Sequence, residues 1–277
     1  TLALANKESL VVGGPLVRRA MKRDGQIVPV DSEHSAIAQC LASGVHEKGL
    51  TAQRVTGKSE LAQLVLTASG GPFRGKKRAD LAEVTPQQAL AHPTWNMGPV
   101  VTINSSTLVN KGLELIEAHL LFDVPASDIV PVVHPQSIVH SMVTWKDGAT
   151  IAQASPPDMK LPIALGLTWP KRLPDIEKPV DFLQRQEWTF EPVDSQTFPA
   201  INLARAAVTE SPTHPAVYNA ANEVFVDAFL RGQLAYLSIV DLLEEVLAEH
   251  QGIDEPTLDD ILGAQEWAKA SARSHIM

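Results

Sequence analysis

The chain has 277 residues, room for one large domain or two ordinary ones with a sizeable core. Its residues are 44% apolar and 20% charged with a mean hydropathy of -0.01, which describes a soluble globular chain rather than a disordered or membrane-spanning one. Thirty-two acidic against twenty-three basic side chains leave a net charge of -9, which disfavours nucleic acid as a partner because that contact needs a positive field.

The chain opens Thr1-Leu2-Ala3-Leu4-Ala5, an apolar strand-like run without an initiating methionine. No basic stretch precedes a long apolar core, so the start is not a signal peptide; it reads as an element cut in its middle. Residues 26–30 form a short β-type run that ends at Asp31, and Cys40 follows in an apolar helical pattern as a packing residue. As the single cysteine it excludes an intrachain disulfide and fits a reducing compartment. Residues 64–67 are a second strand, closed by the loop Ala68-Ser69-Gly70-Gly71-Pro72. Thr85-Pro86 has the form of an N-cap with proline at the first helical position.

Across residues 106–122 Val109, Leu113, Ile116 and Leu120 recur at helical spacing, which predicts one helix. Residues 129–133 are a strand, and the runs 138–145 and 150–154 flank Lys146-Asp147-Gly148, a hairpin signal. Four prolines between 170 and 193 mark an extended linker. Helical patterns alone follow: one near 200–208, then stripes of Val217, Ala221, Val224 and Ala228, of Val240, Leu243 and Val246, and of Leu258, Ile261 and Leu262. No run approaches the roughly 18 consecutive apolar residues of a membrane-spanning helix. The fold class expected is α/β (α+β) with a mixed sheet, then a linker and a small all-α C-terminal domain.

Several segments carry groups capable of chemistry, and each admits a plainer reading. Asp31-Ser32-Glu33, at a strand-to-helix junction, offers two carboxylates to a hard cation or merely caps a helix. Asn110, Lys111 and Glu114 share a polar sector, since positions three and four apart differ by about 60° and 40° around a helix. Such a sector can bind phosphate at one end and metal at the other, or it is a solvated face with an ion pair worth a few tenths of a kcal/mol. Ser69-Gly70-Gly71 can bring backbone amides to an anion but lacks Walker spacing. His92-Pro93-Thr94-Trp95-Asn96-Met97-Gly98 is a lid over a ligand or a loop packed on the core. His134-Pro135-Gln136-Ser137 and Ser155-Pro156-Pro157-Asp158-Met159 either line a cleft or turn the chain. His214, His250 and His275 receive no role.

Taken in order, Ala5-Asn6-Lys7-Glu8-Ser9, Val30-Asp31-Ser32-Glu33-His34, Thr67-Ala68-Ser69-Gly70-Gly71-Pro72-Phe73-Arg74, His92 to Gly98, Asn110-Lys111-Gly112-Leu113-Glu114, His134 to Ser137, Pro157-Asp158-Met159 and Asn219-Ala220-Ala221-Asn222-Glu223 resemble the 1-deoxy-D-xylulose 5-phosphate reductoisomerase family. The resemblance implies that Asp31, Glu33 and Glu114 ligate Mg²⁺ or Mn²⁺, which binds the substrate's oxygens and stabilises the charge developing on them. It places Ser32, Ser69, Ser105, Asn110, Lys111 and His92 on the substrate, with Lys7, Glu33 and His92 nearest the chemistry. Asn6, Lys7, Glu8, Gly98 and Met159 would meet NADPH, and His92, Trp95 and Met97 would form a closing flap.

The implied reaction rearranges a ketose phosphate and then reduces the branched aldehyde with hydride. The expected partners are the phosphosugar and a second copy of the chain in a homodimer, with neither nucleic acid nor membrane, in the bacterial cytoplasm. Family members open with a Rossmann-like domain bearing a glycine-rich turn, which this sequence lacks. Residues 1–30 therefore read as the remnant of a mostly absent NADPH-binding domain, 31–169 as the catalytic domain, 170–193 as linker and 194–277 as the helical domain. The alternative is a non-catalytic fragment that binds metal and phosphosugar.

Overall fold

The structure is a computed structural model and describes residues 1–95 and 97–276. In chain order the elements begin with β1 (Leu2–Leu4), α1 (Lys7–Ala20), β2 (Ile27–Pro29), α2 (Ser32–Leu41) and β3 (Leu61–Ala68). Next come α3 (Pro86–Ala89), α4 (Pro99–Ser106), α5 (Val109–Phe122), β4 (Ile129–Val133), β5 (Val139–Trp145) and β6 (Thr150–Ala154). The series ends with α6 (Lys160–Thr168), β7 (Glu191–Pro192), α7 (Ala200–Glu210), α8 (His214–Leu230), α9 (Ser238–Glu249) and α10 (Leu258–Ile276).

These elements form two compact units. Thr1–Lys7, Ala20–Ser69 and Glu117–Pro192 make the first; Glu8–Arg19, Gly70–Ile116 and the chain from Val193 onward make the second. The units interleave, whereas the sequence reading divided the chain into consecutive blocks. Composition shifts mark linkers but not which distant faces pack, and α4 packs on α8 within the second unit.

The first unit is built on a mixed sheet of order β6-β5-β3-β4-β7, with β3 and β4 parallel and the other pairs antiparallel. β3 holds the centre because Leu64 to Ala68 are apolar or satisfied: Thr67 is buried there and its hydroxyl donates to the carbonyls of Val139 and His140. The hairpin of β5 and β6 turns at Gly148 with φ 93°, and Asp147 accepts from the amide of Ala149. α2 packs on β5 and β6, and α6 covers the parallel pair β1–β2. The expected linker does more than connect, since β7 at its end pairs with β4. His134 anchors that segment. Its Nδ1–H donates to the carbonyl of Thr189 at 2.8 Å while Nε2 accepts from the amides of Ile138 and Val139, so the His134 motif turns the chain.

In the second unit α8 is the core helix, buried on nearly all sides and in contact with α4, α7, α9 and α10. Thr85 caps α3 in a reciprocal box with Gln88. Two expectations need correction. The helix expected over 106–122 is broken: α4 ends at Ser106 and α5 starts at Val109, with Leu108 at φ 60° between them. On α10 the inward stripe is Ile261, Ala264, Ala268 and Ala272, small residues that allow close packing, while Leu258 and Leu262 are exposed. His214 and His250 lie 4.8 Å apart, hydrogen-bonded to Ser211 and Thr213, and His275 meets Glu245 and Glu249. Among the described residues no helix is long and apolar enough to cross a membrane.

Candidate functional site

The first unit gathers titratable groups where β2 runs into α2. Asp31 stands at the N-cap, where an acid favours the positive helix end, yet its side chain makes no capping hydrogen bond. The carboxylate turns instead to Lys7 at the start of α1, with Oδ2 2.5 Å from Nζ and both side chains nearly buried. One residue on, the buried Ser32 donates its hydroxyl to Glu33 at 2.6 Å. The capping alternative therefore fails for Asp31: its acid is aimed at a cation.

Beneath it lie two groups that sequence reasoning missed. His34 and Glu117 are both fully buried, with Nδ1 of the histidine 3.1 Å from Oε2 of the acid and 4.0 Å from Oδ2 of Asp31. Each of Asp31, His34 and Glu117 offers a ligand atom within 4.8 Å of the others. The available signal was Glu117 itself, a charge next to Ile116 on an otherwise apolar stretch of α5.

The second unit contributes the first half of α5. Lys111 and Glu114 are 4% and 1% exposed and form an ion pair, and the Asn110 amide donates to Glu114 Oε1 at 2.5 Å. This overturns the solvated-face alternative. A lysine and a glutamate three residues apart predict the pair, but burial means that removing one partner costs about 3–5 kcal/mol rather than tenths. Ser105, half-buried on the last turn of α4, lies against the glycine turn: a Cβ on Gly71 would come within 2.9 Å of the Ser105 carbonyl oxygen. Gly70 and Gly71 have φ of 86° and 65°, a conformation side chains resist. Ser69, half-buried, follows β3 in the first unit immediately before that turn.

The loop after α3 is folded around His92. Its Nδ1 accepts from the amides of Thr94 and Trp95 at 3.1 and 2.9 Å, which places the neutral ring's proton on Nε2. Burial lowers its pKa from the ordinary histidine value, so the neutral form is favoured. Trp95 and Met97 are half-buried, Asn96 lies outside the described residues, and Gly98 is the exposed N-cap of α4, whose carbonyl accepts from Thr102. Of the other residues assigned to the cofactor, Asn6 is exposed at the end of β1, Glu8 is half-buried on α1, and Met159 is exposed just before α6.

Comparisons with known proteins agree with this reading of the sequence. Residues 27–122 match the 1-deoxy-D-xylulose 5-phosphate reductoisomerase C-terminal domain, and residues 154–271 match the DXP reductoisomerase C-terminal domain. The 1-deoxy-D-xylulose 5-phosphate reductoisomerase of Beutenbergia cavernae is 61% identical over 278 aligned positions, covering 99% of this chain and 67% of the relative. That of Pseudarthrobacter chlorophenolicus is 59% identical, covering 100% of this chain and again 67% of the relative. Among solved structures, the enzyme from Zymomonas mobilis in complex with NADPH superimposes with a TM-score of 0.87 at 39% identity, over 99% of this chain and 68% of that one. A DOX-P reductoisomerase in complex with NADPH, fosmidomycin and magnesium gives 0.85 at 35% identity. On both domain matches and on identity along its whole length, this chain belongs to the 1-deoxy-D-xylulose 5-phosphate reductoisomerase family.

Proposed function

We propose that the chain acts in the NADPH-dependent rearrangement and reduction of 1-deoxy-D-xylulose 5-phosphate to 2-C-methyl-D-erythritol 4-phosphate, in the non-mevalonate isoprenoid route. The observation that carries this is α5, where an amide, an ammonium and a carboxylate share little more than one helical turn, the last two buried. A buried charge pair is costly to desolvate, and a site that grips a phosphate and a cation gives it a use.

In this reading Asp31, Glu33 and Glu114 hold the divalent cation. The donor set fits Mg²⁺ or Mn²⁺, which prefer carboxylate oxygens. Asp31 stands at the N-cap of α2 with Glu33 in its first turn, and Glu114 lies on α5. Bound there, the cation supplies Lewis-acid polarisation of the substrate's carbonyl and hydroxyl oxygens. NADPH supplies the hydride, with Asn6, Lys7, Glu8, Gly98 and Met159 as its contacts.

The chain's own residues bind and orient. An ammonium has three donors, so Lys111 can serve Glu114 and a phosphate oxygen together, with Ser69, Ser105 and Asn110 adding donors. Lys7, already against Asp31, holds a proton beside the reacting oxygens, and Ser32 orients Glu33. His92 offers Nε2–H from the flap, and Trp95 and Met97 exclude water. Residues 31–169 carry the metal and phosphosugar groups together with Gly98 and Met159, 1–30 the remaining cofactor contacts, 170–193 connect and 194–277 brace. The assembly is a cytoplasmic homodimer.

The chain spans 67% of the length of the relatives named. A second reading is binding of metal and phosphosugar without turnover. Absorbance at the nicotinamide band, with NADPH, Mn²⁺ and 1-deoxy-D-xylulose 5-phosphate present, separates the two. Steady oxidation supports the enzyme; binding of the sugar phosphate without oxidation supports the second reading.

A further inference from the structure

The C-terminal helices contain buried polar side chains that the reading above does not use. Asn222 on α8 is 1% exposed and its amide donates to the side-chain oxygen of Asn104 on α4 at 2.9 Å. Tyr236, between α8 and α9, is 2% exposed and its hydroxyl donates to the carbonyl of Ser106 at 2.7 Å. Burial raises the Tyr236 pKa far above the usual phenol value, so the hydroxyl stays a donor. The same ring packs edge-on against Phe73 at 5.1 Å, two residues beyond Gly71. The Tyr218 hydroxyl also lies over Gly112, beside Lys111, where a Cβ would collide with it.

Asn104 and Ser106 flank Ser105. On a helix they lie about 100° to either side of it, so pinning both fixes the backbone at Ser105 and with it the direction of its Cα–Cβ bond. The pin at Ser106 acts at the end of α4, where a helix runs out of amides four residues on to serve its last carbonyls. Through Phe73 and Ser106, Tyr236 touches both the glycine turn and the end of α4. We propose that Tyr236 and Asn222 are positioning residues, holding Ser105, at the end of α4, in register to receive a phosphate group. This rests on the assignment of Ser105, Asn110 and Lys111 to the phosphate.

Inorganic phosphate, titrated calorimetrically into the 277-residue protein, tests the proposal with Tyr236→Phe, Asn222→Ala, Ser105→Ala, Lys111→Ala and the double variant Tyr236→Phe/Ser105→Ala. Tyr236→Phe removes one hydroxyl, and its phosphate affinity should fall about five- to tenfold. Asn222→Ala should fall comparably; if it does not fold, the tyrosine variant carries the test. In the Ser105→Ala background the tyrosine change should cost less than about twofold, because the group it positions is gone. A general loss of packing would weaken both backgrounds equally. Wild type without phosphate affinity, or Lys111→Ala binding as well as wild type, would overturn the phosphate assignment itself. If Lys111→Ala loses phosphate but Tyr236→Phe binds normally, or pays the same penalty with and without Ser105, the positioning role alone is wrong.

Discussion

Two lysine–glutamate pairs in the second unit share a spacing and differ in everything else. Lys111 and Glu114 on α5 are three residues apart with side chains 5% and 2% exposed, whereas Glu266 and Lys269 on α10 are three apart at 3.4 Å with side chains 75% and 29% exposed. Water screens the second pair, and the side chains give up rotamer freedom to form it, so it is worth little. The first pair sits where Coulomb attraction and desolvation are both large, and losing one partner strands the other. The same spacing, with the order of the two residues reversed, thus gives a surface ion pair in one helix and a candidate site in another. The deciding variable is burial, which is a property of the fold.

Substitutions at the two pairs test that difference. Glu114→Gln should reduce Mn²⁺ affinity by at least about 100-fold at neutral pH, since a neutral amide is a poor ligand for a hard cation. Calorimetry reads this directly, and an unchanged affinity would remove Glu114 from the ligand set. Lys111→Ala should weaken phosphosugar binding about 10- to 100-fold, the loss of a hydrogen bond from a charged group. It should also lower the unfolding free energy by about 3 kcal/mol in urea titration, because Glu114 is left buried without its cation.

Burial also governs the response to acid. His46, His134, His214 and His250 all have pKa values lowered from the usual 6.5, first by burial. The unfolded chain therefore takes up protons before the folded one, and stability present above pH 6.5 is lost as pH falls toward the lower folded values. The urea midpoint should drop between about pH 7.5 and 5.5; a midpoint that holds or rises contradicts the assignment. Least affected should be Glu266→Gln, within about 0.5 kcal/mol of wild type and with Mn²⁺ affinity unaltered.

Legibility in the sequence followed the range of the forces involved. The Asp147-Gly148 hairpin, the Thr85 cap and the phase of α5 are set by neighbours a few residues apart, and all three were readable. The break at Leu108 was not, because a leucine at φ 60° carries none of the signal a glycine gives there. α1 went unread: it runs across Gly13-Gly14-Pro15 as two helical stretches joined by a kink at Gly14, where φ is 44°. The resemblance named Asp31, Glu33, Asn110, Lys111 and Glu114, but burial of Lys111 and Glu114 and the pairing of His34 with Glu117 needed coordinates. The roles of Tyr236 and Asn222 depend on contacts across more than 100 residues, which no local pattern marks.

The central claim is that Asp31, Glu33 and Glu114 share one divalent cation. Anomalous scattering from a crystal of this protein soaked in Mn²⁺ tests it without reference to turnover. One strong peak is expected roughly 2 Å from a carboxylate oxygen of each of the three. A peak seated instead among Asp31, His34 and Glu117, or none near α2, would contradict it.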